Sequence, residues 1–236
     1  MQWSSDALII GTRKHGETSL ILEVMTEERG RHMGLVRGGR SRRFKAVLQP
    51  GNSVQVNWRA RLDEHLGAFT VEPLVARAAA LMENRRKLFL SQLVCEHLRL
   101  LPERDPHPRL YAEALALIDN GGDPVALGAA LARFELHLLD DLGFGLDLSS
   151  CAATGANDNL IYVSPRSGRA VSAAAGEPYK DKLLHLPAFL IGGDRPDALS
   201  VAAGLRLTGH FLADHVWKPR TIVPPPTRDS LIATLL

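Results

Sequence analysis

Residues 52–61, NSVQVNWRAR, place Val54, Val56 and Trp58 at alternate positions, with polar residues between them. Alternation with a period of two predicts a β-strand that buries one of its faces. Four further segments are short, rich in β-branched residues and bounded by glycine, proline or charged turns. They are DALIIGTRKHG (6–16), TSLILEVMTEERG (18–30), RHMGLVRGG (31–39) and GAFTVEPL (67–74). Five such strands in so short a stretch predict a small closed β-barrel, because closure leaves no exposed sheet edge.

The period of the apolar residues changes after this region. Residues 76–101 carry apolar side chains at helical spacing without internal glycine or proline, which predicts one helix ending at Pro102. Asp123 followed by Pro124 is typical of a helix start, and Gly143 of a helix end. Two more helices are predicted over residues 109–118 and 196–217, and the proline run 224–226 favours polyproline II.

Residues 144–196 differ from the helices on either side of them. They are rich in Gly, Ser, Ala and Pro and contain short strand-like pieces such as LIYVS, which predicts an irregular insert or a small β-module. We therefore predict a multi-domain α+β protein. An OB-type barrel, or a related SH3-like one, occupies residues 1–75, and a helical domain occupies residues 76–236 and carries the 144–196 insert.

Composition narrows the class of protein. Apolar residues make up 45% of the chain and charged residues 23%, as in ordinary folded domains. No apolar run reaches the ~18–20 residues that a membrane helix needs, and the first residues lack the pattern of a secretory signal. We therefore expect a cytoplasmic protein without a membrane partner. Two cysteines, Cys95 and Cys151, predict no disulfide framework.

Positive charge is concentrated in one stretch of the barrel region. Between Glu28 and Lys45 the chain carries seven basic residues and one acidic residue, although its net charge is only +2. Glycines and an aromatic residue lie among the arginines of RGGRSRRFK (37–45), so the backbone can approach a ligand closely and Phe44 can stack on a base. Guanidinium groups suit phosphate oxygens. The segment predicts nucleic-acid binding, with a merely solvated basic loop as the alternative. The predicted phosphate contacts are Lys14, Arg31, Arg37, Arg40, Arg42, Arg43 and Lys45.

Three blocks along the chain together resemble the RecO family of recombination mediators. The first is W-x4-LII-x4-HGETSLILEVMTEERGRHMGLVRGGRSRR-x4-LQPG, from residue 3 to residue 51. The second is ARFELHLLDDLGFGLDL (132–148), and the third is CAATG (151–155) with LIYVSPRSGRAVS (160–172). The order and spacing of these blocks span nearly the whole chain.

The resemblance implies a function and several partners. Members of the family bind single- and double-stranded DNA through the barrel, anneal complementary strands without ATP, and contact RecR and the single-stranded DNA-binding protein, so that recombinase loads on DNA. It implies that Arg133, beside Phe134, binds the acidic C-terminal tail of the single-stranded DNA-binding protein. It also implies a place at the nucleoid. An ion pair of Arg133 with a nearby acid is the alternative for that residue.

Other functions find less support in the residues. Some relatives carry a zinc module near Cys151, but SSCAATGANDN offers no second thiolate and no histidine, so we expect no metal and no cofactor. Motifs of P-loop ATPases, serine hydrolases and zinc proteases are missing, which predicts a protein that is not an enzyme. An RNA-binding or ribosome-associated barrel protein remains an alternative, as does a small-molecule enzyme with its site in the insert.

Overall fold

The computed structural model describes residues 1–120, 122–193 and 195–235. The chain divides into two compact units, Met1–Asp119 and Asn120–Leu236. The first unit contains three helices in addition to the N-terminal strands. The predicted domain boundary between residues 75 and 76 is not settled by this division and stays a prediction.

Five strands of the first unit form a closed barrel with the order β1-β2-β3-β5-β4. They are β1 (Gln2–His15), β2 (Ser19–Thr26), β3 (Gly30–Val36), β4 (Ser53–Arg59) and β5 (Ala68–Val75). β1 pairs with β4 through its first half and with β2 through its second half, and a register shift between Ile9 and Gly11 lies in the second pairing. β3 and β5 close the barrel by a short parallel contact at Leu35 and Ala68. The five predicted strands and the predicted α+β class are confirmed.

The barrel core contains the alternating residues of β4. Val54, Val56 and Trp58 are fully buried, and Leu22 and Val24 of β2 share their cluster. Trp58 donates its indole N–H to a backbone carbonyl at 3.0 Å, so the polar atom of this large side chain is satisfied. Each such apolar side chain contributes about 1.5–3 kcal/mol on burial.

The helices of the first unit are α1 (Ala78–Met82), α2 (Arg85–Leu98) and α3 (Pro108–Asp119). The prediction of one helix over residues 76–101 is wrong. Asn84 adopts an extended backbone and its side chain accepts a hydrogen bond from the Lys87 N–H, so it caps α2 and ends the preceding turn. N-cap positions favour asparagine, so Asn84 explains why the helix breaks between α1 and α2 without any glycine or proline.

Side-chain and backbone contacts join these helices to the barrel. The Asn52 side chain accepts from the N–H groups of Arg77 and Ala78 at 2.7 and 2.9 Å, at the start of α1. Gly30 has a φ of +61°, and a Cβ there would lie 1.8 Å from the carbonyl oxygen of Asp105, so the chain approaches too closely for any other residue. Helices and barrel therefore form one packed unit.

The second unit consists of helices around a small sheet. Its regular elements are α4 (Pro124–Asp141), β6 (Leu160–Val163), β7 (Ala170–Ser172), α5 (Ala173–Gly176), β8 (Leu184–His185), α6 (Ala198–Phe211) and α7 (Pro226–Leu235). Asp123 caps α4 as predicted, since its side chain accepts from the Ala126 N–H. The sheet has the antiparallel order β7-β6-β8, so the predicted insert includes a β-module.

The C-terminal stretch departs from the sequence prediction. A π-helical turn, Leu212–Trp217, continues α6 to the end of the predicted helix. Beyond it, the proline run leads into α7 with Pro226 as its first residue, so the polyproline II prediction did not anticipate this helix. Over the described ranges, no helix is both long enough and apolar enough to cross a membrane.

Candidate nucleic-acid interface

The segment between β3 and β4, residues 37–52, is called the arginine loop below. It is a series of tight turns: Gly38 has a φ of +65°, and successive N–H groups donate to carbonyls three or four residues earlier, as Phe44 does to Ser41 at 3.1 Å. Phe44 packs against the barrel core, and Leu48 is buried in it. These two anchors hold the loop in one conformation while its charged side chains stay exposed.

A groove of about 1260 Å³ opens on the barrel beside this loop. The arginine loop forms one side through Arg37, Arg43 and Phe44, and the end of β4 contributes Arg59 and the following Arg61. Residues of β5 complete the lining, but Phe69 and Val71 among them are core side chains that are each only 5% exposed. Phe44 is half-buried and offers apolar surface to the groove. A strand of nucleic acid needs both a cationic surface for phosphates and an apolar surface for bases, and this groove has both.

Four arginines give the groove its charge, and they are called the groove arginines: Arg37, Arg43, Arg59 and Arg61. All four are exposed, and none of them forms an ion pair with a carboxylate in the part of the chain that the structure describes. Among the described lining residues, Glu72 is the single acid. Because unpaired guanidinium groups remain hydrated, they can exchange water for phosphate oxygens without breaking an internal bond.

Arg59 and Arg61 were missed by the sequence prediction. They are close in space to Arg37 and Arg43 only because β4 and β3 both border the groove, and no charge run marks them in the sequence. The one available signal was the alternation of β4, which assigns Arg59 to the face opposite the buried Trp58.

The other predicted phosphate contacts lie in different surroundings. Arg40 donates to the carbonyls of Gly16 and Glu17 at 3.0 and 2.6 Å, so it ties the arginine loop to the β1–β2 turn. Arg31 is only 18% exposed and its guanidinium lies 2.6 Å from a carboxylate oxygen of Glu23. An ion-paired and largely buried guanidinium is poorly placed to meet DNA, and a role for Arg31 in binding stays a prediction.

Three predicted contacts are exposed but do not line the groove. Arg42 and Lys45 project from the arginine loop, and Lys14 lies near the end of β1. Their charges contribute to the field around the groove over a Debye length of about 8–10 Å.

An aromatic cluster lies inside the barrel next to the groove. The His32 ring meets Trp3 and Trp58 edge-on, with ring centroids 5.0 and 4.9 Å apart, and Phe69 lies nearby. Neither ring nitrogen of His32 has a hydrogen-bond partner within the described residues. Burial, followed by the charge of Arg104, lowers the pKa of His32 from 6.5 to about 4, so the ring is neutral at pH 7.

Arg133 and Phe134, the two residues predicted to bind the tail, both lie in the second unit but differ in exposure. Phe134 is 1% exposed and lies in the core, so its ring does not reach the surface. Arg133 is exposed, its guanidinium lies over the Phe189 ring at 5.2 Å from the centroid, and it donates to the Phe189 carbonyl at 3.2 Å. The alternative of an ion pair with Glu135 or Asp140 is not what this geometry shows.

The two cysteines are both buried and reduced. Burial raises the pKa of Cys95 to about 12, which leaves it an inert thiol. Hydrogen bonds from Ser172 and Thr154 lower the pKa of Cys151 to about 6. Within the described ranges no three His, Cys, Asp or Glu side chains come together as metal ligands. The expectation of no bound metal stays a prediction.

Comparison with known proteins identifies the family. The model of the recombination protein O N-terminal region matches residues 1–76, and that of the C-terminal region matches residues 82–221. A DNA repair protein RecO from Methylobacterium nodulans is 56% identical over 239 residues, covering 99% of this chain and 97% of that protein. Proteins of the same name from Methylorubrum extorquens and Sinorhizobium medicae are 56% and 55% identical over 240 and 237 residues. They cover 99% and 100% of this chain, and 98% and 95% of the respective relatives. The chain therefore belongs to the RecO family of DNA repair and recombination proteins.

Proposed function

We propose that this chain is a recombination mediator that binds and anneals single-stranded DNA in the barrel groove, without catalysing a bond-making or bond-breaking reaction. The observation that carries the proposal is the set of four exposed groove arginines around a partly apolar groove. A solvated basic loop would not require two further cations, Arg59 at the end of β4 and Arg61 just after it, to line the same groove.

Annealing follows from physical chemistry that needs no catalytic residue. Two complementary strands repel each other through their phosphates, and this repulsion slows their encounter at low salt. A cationic groove lowers the repulsion by replacing condensed counterions along one strand. Bases of a strand held by its backbone remain free to meet a second strand.

Partner contacts belong to the same proposal. We assign recognition of the C-terminal tail of single-stranded DNA-binding protein to Arg133, because its exposed guanidinium, held over the buried Phe189 ring, suits the carboxylates of an acidic tail. Phe134 would act from the core by fixing the helix. RecR would join the same assembly and help recombinase load on DNA coated by single-stranded DNA-binding protein, with the protein located at the nucleoid.

The test is a titration of labelled single-stranded oligonucleotide at several salt concentrations, followed by annealing of complementary strands with and without single-stranded DNA-binding protein. If three or all four of the groove arginines contact phosphates, log K falls with log[salt] at a slope of roughly −2 to −3. An affinity that does not depend on salt, or tighter binding of RNA than of DNA of equal length, would overturn the proposal.

A further inference from the structure

Arg43 and Phe44 form a cation–π pair on the side of the groove. The guanidinium carbon of Arg43 lies over the Phe44 ring, 5.6 Å from its centroid, and both side chains line the groove. Phe44 is half-buried, because its ring packs on the barrel core. Its backbone is also fixed, since its carbonyl accepts from Val47 and Leu48 at 3.1 and 2.9 Å.

We infer that the guanidinium of Arg43, supported from behind by Phe44, is a stacking platform for one unpaired nucleobase. The inference rests on the proposed function and deepens it, because it assigns a base contact where sequence reasoning expected only a phosphate contact. It also replaces the sequence expectation that the Phe44 ring itself receives the base, because the core packs against that ring and Arg43 lies over it.

The chemistry favours a base over a phosphate at this position. A guanidinium is planar and presents two faces to a stacking partner, and the centroid of the Phe44 ring lies 5.6 Å from the guanidinium carbon of Arg43. Arg43 is exposed and lines the groove, so its guanidinium is accessible to a ligand there. Nucleobases stack on arginine planes as they do on aromatic rings. The remaining groove arginines have no ring beneath them among the described contacts and are suited to phosphates.

Such a platform has two consequences for the substrate. It selects a single strand, because the bases of a duplex are already stacked on one another and offer no free face. It also holds a base by its face and leaves its hydrogen-bonding edge open. A strand bound this way can be recognised by its complement while it remains in the groove.

The experiment compares three ligands of equal length: a single-stranded oligonucleotide, an abasic strand with the same number of phosphates, and a duplex. Wild-type protein, Arg43→Lys and Phe44→Leu are titrated with each, and Arg42→Lys is the matched control from the same loop outside the groove. Lysine keeps the charge but has no planar face, and leucine keeps the apolar contact with the core but has no ring.

We expect wild-type protein to bind the base-bearing strand about tenfold more tightly than the abasic strand, as one stacked base would give. Arg43→Lys and Phe44→Leu should each remove most of this ratio and leave abasic and duplex affinities within about twofold of wild type, and Arg42→Lys should preserve the ratio. Equal wild-type affinity for the base-bearing and abasic strands would overturn the inference and leave the proposed function standing. A wild-type ratio retained in Arg43→Lys would overturn it too, because Arg43 would then act through its charge and not through its plane. Failure of every ligand to bind wild-type protein would overturn the proposed function as well.

Discussion

Arg228 and Glu135 form a doubly hydrogen-bonded ion pair inside the second unit. The Nε atom of Arg228 donates to Oε1 of Glu135 at 2.8 Å, and an Nη atom donates to Oε2 at 2.9 Å. The Thr208 hydroxyl also donates to the Glu135 carboxylate, so three helices, α4, α6 and α7, meet at this group. The Glu135 side chain is fully buried.

Arg228→Met should destabilise the protein strongly. The substitution leaves the Glu135 carboxylate buried without its main partner, and breaking a buried pair in this way costs about 3–5 kcal/mol. Urea unfolding followed by far-ultraviolet circular dichroism measures the loss. Arg169→Met is the control, because Arg169 and Asp147 form an exposed ion pair in the same unit, and solvent screens such a pair so that its loss changes stability little. If both variants lowered the free energy of unfolding equally, burial would not explain how much the Arg228 pair stabilises the protein.

Arg59→Gln combined with Arg61→Gln should weaken binding of single-stranded DNA and make it less dependent on salt. Two lost phosphate contacts lower the salt slope by about 1.4. Arg31→Gln should instead lower the free energy of unfolding by about 1–3 kcal/mol, because the Arg31 guanidinium is paired with Glu23. It should leave the salt slope of DNA binding unchanged. Fluorescence anisotropy at four salt concentrations separates the two results.

A matched control for this double variant comes from the second unit. Arg166→Gln with Arg195→Gln removes the same charge from exposed positions that do not line the groove. If it lowered the slope as much as the change at Arg59 and Arg61, general charge rather than the groove would account for binding.

Stability of the barrel should depend on pH through His32. The pKa of His32 is about 4 in the folded chain, against an ordinary value of 6.5, because burial disfavours the charged ring. The folded state therefore binds fewer protons than the unfolded state between these values. The contribution is fully present above pH 6.5 and is lost as the pH falls towards 4. Urea unfolding of wild type and His32→Phe at pH 7 and pH 5 should show a smaller loss in the variant.

His15→Phe is the control for this measurement, because His15 is exposed near the end of β1. It should show the wild-type loss of stability on acidification. A wild-type loss that persists unchanged in His32→Phe would assign the effect to carboxylates instead.

A fragment of residues 1–119 should fold, whereas a fragment of residues 1–75 should not. The shorter fragment lacks the partners of Glu23 and Asn52 on the helices, and it exposes the backbone carbonyl of Ile9 that meets the Cys95 thiol. A chain of 75 residues is only marginally stable, so these losses should be enough to unfold it. Circular dichroism and cooperative thermal unfolding report the outcome. A cooperatively folded 1–75 fragment would place the domain boundary where the sequence predicts it.

The strands were predictable because their information is local. Val54, Val56 and Trp58 alternate within one segment, and a period of two needs no knowledge of distant residues. The break before α2 was also encoded locally, by Asn84, but a uniform apolar pattern concealed it. Glu135 and Arg228 are 93 positions apart, so no local pattern in the sequence predicts that they pair. The helix that carries Arg228, α7, was not predicted either.

The candidate site follows the same rule. Charge density marks residues 28–45 as a cationic segment, but it could not distinguish Arg31, which is paired with Glu23, from Arg43, which lines the groove. That distinction depends on which strand lies next to each residue. Arg59 and Arg61 entered the site only through the closure of the barrel.

The bonds from Arg40 to the β1–β2 turn have a kinetic consequence. Since these hydrogen bonds already fasten the backbone of the arginine loop, encounter with a polyanion requires no prior ordering of that segment. Association should then proceed in a single step at a rate governed by diffusion and ionic strength. Arg40→Ala would remove these hydrogen bonds. The arginine loop would then have to become ordered each time the protein binds a polyanion.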